Sequence, residues 1–586
     1  MQVKESLLAE MSSAEFYERP QNRWKIKPVP ENNAIENLAK QLNGNKIIAA
    51  LLLQRGVTTF EEAKKFFRPS LNDLHDPFLM KDMDKAVARI EQAIERNEKI
   101  LVYGDYDVDG TTAVALFYTF LQSLKVPCGF YIPDRYAEGY GISFQGIDYA
   151  AQENYSLIVA LDCGIKANDK IRYAKEKGID FIICDHHRPG DKLPEAVAVL
   201  DPKRDDCHYP YDELCGCGIG FKLAQAIAQK RNQNVESLES LLDLVAVAIA
   251  ADLVPVTGEN RVLSSFGLKR INENPRPGFK AMLELSKLKR SISVSDVVFI
   301  FAPRINAAGR IDHGKTAVEL LASTDEATAK AAAETVNQHN TDRRDLDKAI
   351  TAHAMEMMAT SQAMQKRKST VVYSEDWHKG VVGIVASRLI EKYYRPTIVL
   401  TKSNGKVTGS ARSVKDFDVY DAIEACSDLL IQFGGHKYAA GLTMDEDKVE
   451  AFAEKFELEV SRRITEEQLI PEIEIDLEIS FGHIDWNFFN VLKQFAPFGP
   501  GNMNPVFLTK KICDRGWARI VGEKHLKMDL IDPKQPDRIF PAIAFGSGHQ
   551  HILVANKNEV NVCYTIEENE YNGRVSLQLG VKDLRE

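Results

Sequence analysis

The stretch KILVYGDYDVDGTT, Lys99–Thr112, decides how the rest of the chain is read. Ile100–Tyr103 is an apolar run of strand length. It is followed at once by three carboxylates, Asp105, Asp107 and Asp109, and then by Gly-Thr-Thr opening a helical pattern. The arrangement recurs twice. LIVALDCG (Leu157–Gly164) ends a strand-like run on Asp162, and FIICDHH (Phe181–His187) ends one on Asp185, His186 and His187. A fourth element, AIAADLVP (Ala248–Pro255), carries Asp252. In a parallel α/β sheet, ligands bind beyond the carboxyl ends of the strands. Acidic and histidine clusters at three such ends can therefore meet at one point. Carboxylates with one or two imidazoles suit Mg²⁺ or Mn²⁺. Their number suffices for two ions, a recurring solution for phosphoester cleavage.

The spacing D-x-D-x-D-G also opens a calcium loop, but that motif needs a Glu after five further residues. Here the continuation is Thr111–Leu116, with an apolar residue in its place, and a strand rather than a helix precedes it. The calcium reading is excluded.

At 586 residues the chain exceeds one core, so several domains are expected. No apolar run is long enough for a membrane helix, and Met1–Glu5 lacks a secretory pattern, so a cytoplasmic protein is expected. Nine scattered cysteines read as reduced thiols. Cys207, His208, Cys215 and Cys217 form the tightest group, but their spacing matches no standard zinc knuckle. Net charge is −10, which globally disfavours nucleic acid. Locally, Arg261–Lys315 holds eleven Lys/Arg against four Asp/Glu. That stretch reads either as a solvated helix face or as a phosphate-binding surface.

The pattern predicts an α/β protein in five segments. Residues 1–80 form a helical lead-in, with Thr59 as an N-cap. Residues 81–260 alternate strands and helices, as a parallel sheet requires. Residues 261–366 form a basic helical connector ending in one long helix or two. Residues 367–465 hold a smaller α/β domain. Residues 466–586 show short alternating runs, the pattern of an OB-like barrel.

A lone Asp at a strand end is more often a helix cap than a ligand. The coincidence of four elements lifts the functional reading. Asp185-His186-His187 resembles the signature of the DHH phosphoesterase superfamily, and the ordered set of four motifs resembles its RecJ branch of single-strand-specific exonucleases. APRINAAGR (Ala302–Arg310) is similar to the connector of that branch. GSARS (Gly409–Ser413) and GGHKYAAG (Gly434–Gly441) resemble its DHHA1 domain, and APFGPGN (Ala496–Asn502) the entry to its OB domain. In isolation Gly434–Gly441 reads as a turn followed by a helix.

The resemblance implies a 5′-to-3′ exonuclease that releases mononucleotides from single-stranded DNA in repair and recombination. It implies two Mg²⁺ or Mn²⁺ ions, with Asp107 and Asp109 each holding one, Asp105 supporting or ligating, and Asp162 bridging. His186 and Asp252 would complete the second site, and His187 would face the scissile phosphate. Some DHH enzymes have His where this chain has Tyr103, so the ligand set of the first site stays open. Arg304, Asn306 and Arg310 would contact the strand, and Ser410, Arg412 and His436 its terminal phosphate. The implied partners are single-stranded DNA, a single-stranded-DNA-binding protein and a helicase, with no membrane and a monomeric enzyme. Phe495, Phe498, Phe507 and Trp517 read equally as base-stacking or barrel-core residues. Two other functions remain open: a DHH phosphodiesterase acting on short oligonucleotides or cyclic dinucleotides, and a non-catalytic replication scaffold. A basic connector and a barrel disfavour the first, and the intact ligand candidates the second.

Overall fold

The computed structural model describes residues 21–288, 290–522 and 524–586. The first twenty residues of the expected lead-in, and Lys289 of the basic stretch, lie outside the described residues. The described chain divides into two compact units, Ile26–Asn340 with Ile475–Glu586, and residues 21–25 with Thr341–Glu474.

The larger unit is built on a five-stranded, all-parallel sheet. Its strands are β1 (Ile100–Gly104), β2 (Cys128–Tyr131), β3 (Leu157–Leu161), β4 (Asp180–Cys184) and β5 (Ala198–Leu200), in the order β2-β1-β3-β4-β5. Every residue of β1, β3 and β5 is buried. That explains their unbroken apolar runs, since both faces of a parallel sheet are covered by helices. The covering helices include α1 (Val108–Ser123), α2 (Gly216–Lys230) and α3 (Leu242–Ala251). Helix α1 starts at Val108, ahead of the Gly-Thr-Thr read as its opening in the sequence, because the Asp107 side chain accepts from Gly110 N at 3.0 Å and caps it there.

In the same unit, helices Asn32–Gln41, Lys46–Leu53 and Phe60–Phe67 pack with the barrel core, Ile35, Leu38 and Leu51 sharing one apolar cluster with Phe495, Phe507 and Tyr564. Thr59 caps the third helix in a full capping box with Glu62. The barrel sheet has seven strands, and an extra pairing of Phe507–Asp514 with His525–Asp532 curls it on itself. The basic stretch is largely committed internally. Buried Arg261 donates to the carbonyls of Phe66 (2.9 Å), Phe495 (2.8 Å) and Ala496 (3.0 Å). Buried Arg276 grips Asp243 with two bonds, 2.8 and 2.6 Å. Lys280, Arg290 and Lys315 pair with Glu326, Asp296 and Glu319. Linear charge counting could not see these acceptors.

The long helix is Glu326–Thr360, followed by the short Gln362–Lys366. The smaller unit holds a mixed five-stranded sheet. Its strands are β6 (Thr370–Tyr373), β7 (Thr397–Ser403), β8 (Lys406–Arg412), β9 (Gln432–His436) and β10 (Ala439–Met444), in the order β9-β10-β8-β7-β6. Gly434–Gly441 is thus a hairpin, β9 paired antiparallel with β10, rather than a turn leading into a helix. The glycines mimic a turn locally, and the cross-strand ladder, invisible in the sequence, overrides that.

Candidate metal centre

The carboxyl ends of β1, β3 and β4 bring the motif residues to one point. Around His186 Nε2 lie Asp162 Oδ1 at 3.2 Å, Asp252 Oδ2 at 3.6 Å and Asp109 Oδ2 at 3.8 Å. Two groups are close enough to share an ion: Asp109, His186 and Asp252, and Asp162, His186 and His187. None of Asp105, Asp107, Asp109, Asp162 and Asp252 has a Lys or Arg ion pair among the described residues.

Each side chain is held by a local device. Asp162 sits just past β3 in the left-handed region, φ 59°, with its amide bonded to the Cys184 carbonyl at 2.8 Å. A non-glycine residue held there is strained, a device found at functional sites. Asp109 accepts from Gly216 N (2.6 Å) and Cys217 N (2.8 Å), the first amides of α2. The helix terminus thus supports an anion where it is needed. Asp105 accepts from Gly141 N at 3.1 Å. Asp185 turns back into the loop, accepting from the amides of His186 (2.8 Å) and Ile165 (2.9 Å) and from His187 Nδ1 (2.7 Å). Its oxygens therefore orient the two histidines rather than face an ion.

The electrostatics follow from burial and crowding. Burial, then the neighbouring Asp107 charge, pushes the Asp109 carboxyl up to about 6. Burial, then Asp109 and Asp107, raises Asp252 to about 8, and the same kinds of cause raise Asp105 and Asp162 well above the carboxylate range. Burial, with the positive charge of His187, pulls His186 down to about 3, leaving its imidazole neutral. His187 goes the other way: burial opposes its charge, but the Asp185 hydrogen bond wins and raises it to about 9.

A divalent pair fits this donor set. Asp105 Oδ2 and Asp162 Oδ1 are buried without a hydrogen-bond partner, which native interiors rarely tolerate. The donors are carboxylate oxygens and a neutral imidazole, as Mg²⁺ or Mn²⁺ prefers.

Tyr103 is the last residue but one of β1. It is fully buried, and its hydroxyl donates to the Gly141 carbonyl at 3.0 Å and accepts from Ser143 N at 3.1 Å. It braces the loop whose Gly141 amide holds Asp105. Tyr140, on the same loop, places its hydroxyl 3.3 Å from His187 Nε2.

Two features escaped the sequence reading. One is Gly216. A Cβ there would lie 2.5 Å from Asp162 Cβ and 2.7 Å from Asp162 Cα. The signal was the C-G-C-G run before an apolar helix, whose cysteines drew attention as metal ligands instead. Cys215 and Cys217 are buried free thiols, Cys215 capping α2 through Gly218 N at 3.3 Å. The other is the N-terminus of helix α4 (Val382–Tyr393), treated below.

The connector residues sit on the helix Ala302–Ile311, which packs on the metal loop: a Cβ at Gly309 would be 2.8 Å from the Tyr106 carbonyl. Arg304 donates to Asn337 Oδ1 (3.1 Å) and the Ile300 carbonyl (2.7 Å), and the Arg310 carbonyl accepts from Tyr136. Asn306 is half-buried on the same helix.

In the smaller unit, Ser410, Arg412 and His436 share one sheet face. Ser410 pairs with Gly441 and Gly441 with Gly434; Arg412 pairs with Ala439 and Ala439 with His436. Arg412 donates to Ser410 Oγ at 2.8 Å. A Cβ on Gly383, in the first turn of α4, would meet both side chains at 3.0 Å. The helix N-terminus is therefore directed at the same spot, an arrangement that favours an anion. Of the four aromatics read as stacking or core, Phe495 and Phe507 are core, Phe498 is partly buried against it, and Trp517 is 60% exposed. The Trp517 loop is held by Asp514, which accepts from the amides of Gly516, Trp517 and Ala518.

Comparison with known proteins agrees with this anatomy. The chain matches the DHH family N-terminal domain over residues 99–249, the DHHA1 domain over 367–462 and the RecJ OB domain over 475–583. It is 36% identical to the single-stranded-DNA-specific exonuclease RecJ of Bacillus subtilis, over 96% of this chain and 70% of that protein. It is 31% identical to the Escherichia coli protein of the same name, over 92% of this chain and 95% of that one. The crystal structure of Thermus thermophilus RecJ in complex with Mn²⁺ superposes with a TM-score of 0.82 at 28% identity, covering 96% of this chain and 79% of that one. With three matching domains in order and relatives aligned along nearly its full length, this chain belongs to the RecJ family.

Proposed function

We propose that the chain is a metal-dependent exonuclease specific for single-stranded DNA, acting in repair and recombination. The observation that carries this reading is the convergence of Asp109, Asp162 and Asp252 on the neutral His186 imidazole, at 3.2–3.8 Å and without a Lys or Arg ion pair among the described residues. Its relatives are named for this activity, and solved structures of T. thermophilus RecJ hold Mn²⁺ or Mg²⁺.

Asp107, Asp109, Asp162, His186 and Asp252 would hold two Mg²⁺ or Mn²⁺ ions, with Asp105 in support. Such a pair neutralises the phosphodiester and lowers the pKa of the attacking water. The chain's own residues supply the rest. Asp185 anchors His187 through Nδ1, and the scissile phosphate would take the place of the Tyr140 hydroxyl at Nε2. Arg412, Ser410, His436 and the N-terminus of α4 bind a terminal phosphate, the Arg fork suiting its oxygens. Arg304, Asn306 and Arg310, beside the Tyr106 loop, contact the strand.

Polarity is 5′ to 3′, with mononucleotides released, and the segments 1–80, 81–260, 261–366, 367–465 and 466–586 act as lead-in, catalytic domain, connector, DHHA1 domain and barrel. The enzyme acts as a monomer beside a helicase and a single-stranded-DNA-binding protein. No described helix is long and apolar enough to cross a membrane; we assign the protein to the cytoplasm. The test is degradation of 5′-labelled and 3′-labelled single strands and of duplex, with Mn²⁺, Mg²⁺ or EDTA. Equal degradation of duplex, or activity in EDTA, refutes the reading.

A further inference from the structure

Beside the metal centre, beyond the ends of β4 and β5, lies a cleft of about 390 Å³ that the roles assigned above leave unused. Arg188, Pro189, Leu193 and Lys203 are among the residues that line it. Arg188 directly follows His187, and Lys203 lies on the turn after β5.

That turn is rigid. Fully buried Asp201 accepts from Lys203 N at 2.8 Å. The next residue, Arg204, is 7% exposed and bound on all sides: Nη1 to Asp82 at 2.7 Å and to the Val199 carbonyl at 2.5 Å, and two bonds of 2.8 Å to Asp206. Arg204 is thus spent on structure, and its lock fixes where Lys203 stands. The Lys203 side chain is half-buried and has no hydrogen bond or ion pair among the described residues. Its charge nevertheless reaches His186, Asp252 and Asp201. Other cations of this unit, Lys222, Arg261 and Arg276, are fully committed to protein acceptors.

A half-buried, unpaired ammonium on a locked turn is poorly explained as a solubilising charge. Nor is it needed as a counter-ion, since a divalent pair would nearly balance the five carboxylates nearby. It is placed for an anion that arrives with the substrate. Asp191 and Asp205 also line the cleft and, like Arg188, are exposed, so solvent screens all three and half-buried Lys203 carries the dominant charge; Asp206 is already neutralised by Arg204.

Resting on the nuclease reading above, we propose that Lys203 and Arg188 grip an internal phosphate of the DNA strand close to the scissile linkage. They would set the register in which the strand crosses the metal centre.

The test uses the full-length protein and a 5′-phosphorylated oligothymidylate. Each of its leading linkages is replaced in turn by an uncharged methylphosphonate. Wild type, Lys203→Met, Lys203→Arg and Arg188→Met are compared by strand affinity in EDTA and by kcat/KM with Mn²⁺. Lys203→Met is expected to weaken binding to the unmodified strand about tenfold and to lower the salt slope of binding by about 0.7, with Lys203→Arg restoring most of it. At one linkage, the methylphosphonate should weaken the wild type by a similar factor and Lys203→Met should add nothing further. The wild-type scan stands without any variant. Indifference of the wild type to every substitution, or a variant deficit undiminished at all linkages, overturns the proposal. So does a Lys203→Met effect confined to inhibition by thymidine monophosphate, which would assign the cleft to released product. Wild type that binds the strand but does not degrade it would instead refute the nuclease reading, while the binding scan would still report on Lys203.

Discussion

Gly216→Ala tests whether the metal centre depends on the close approach of α2 to Asp162. The added methyl would lie 2.5 Å from Asp162 Cβ, 2.7 Å from its Cα and 2.8 Å from its Oδ1, against ordinary contact beginning near 3.4 Å. Two of these atoms are backbone or next to it, so no side-chain rotation relieves the clash. Either Asp162 or the start of α2 must move by about 0.9 Å, the gap between those two distances. Gly216 N also holds Asp109 Oδ2 at 2.6 Å, so moving the helix disturbs a second carboxylate. Helix propensity alone would favour Ala by up to about 1 kcal/mol. Overpacking should outweigh that, costing about 1–3 kcal/mol of stability. A misplacement near 1 Å costs on the order of 10²-fold in rate. The assay is kcat/KM on a 5′-phosphorylated single strand at saturating Mn²⁺, with thermal unfolding alongside. Gly218→Ala is the control, because its methyl would meet Leu214 at an ordinary 3.4 Å. Gly216→Ala within about threefold of wild type, where 10²-fold is expected, or an equal loss in Gly218→Ala, would refute the reasoning.

Other outcomes follow from the same geometry. Asp162→Ala should abolish cleavage at any Mn²⁺ concentration yet leave strand binding in EDTA within a few-fold, measured by gel assay and anisotropy. Arg412→Ala should lose roughly ten- to hundredfold in kcat/KM on 5′-phosphorylated strands, from a charge-assisted contact of about 1.5–3 kcal/mol, and much less on 5′-hydroxyl strands. Lys222→Met leaves Glu259, 1% exposed, without its ion pair and should cost about 3–5 kcal/mol; adding Glu259→Gln should recover part of it in denaturant titrations. The Arg204 hydrogen bond holds the Asp206 carboxyl below its usual range. At Asp82 burial opposes the charge, but Lys85 and Arg204 prevail and lower it too. The stabilisation these two supply is therefore full above the unfolded carboxylate pKa and lost as pH falls through the lower folded values. Arg204→Met should lower Tm near neutrality and flatten the acid limb of a Tm-against-pH curve.

The catalytic half of the protein was legible because its signals are local. An apolar run ended by a carboxylate predicts both a buried parallel strand and the edge on which its ligand stands, so Asp105, Asp107, Asp109, Asp162 and His186 could be named from order alone as candidate ligands. Thr59 and its capping box were legible for the same reason: the partners are three residues apart. What the tertiary structure decided lies between distant segments. Only the folded chain shows that α2 lends its first amides to Asp109 and has no room for a side chain at Gly216. Only there does Tyr103 become a brace for the Asp105 loop. The basic stretch carries its charge in the sequence, but whether Arg261 and Arg276 meet DNA or protein depends on the carbonyls of Phe495 and Ala496 and the carboxylate of Asp243. Those partners come from far along the chain, and no periodicity records them. The hairpin at Gly434–Gly441 is the clearest case. Its glycines permit a turn, and the pairing of β9 with β10 and of β10 with β8 makes it part of a sheet, because hydrogen bonds to a neighbour are a property of the sheet and not of the segment.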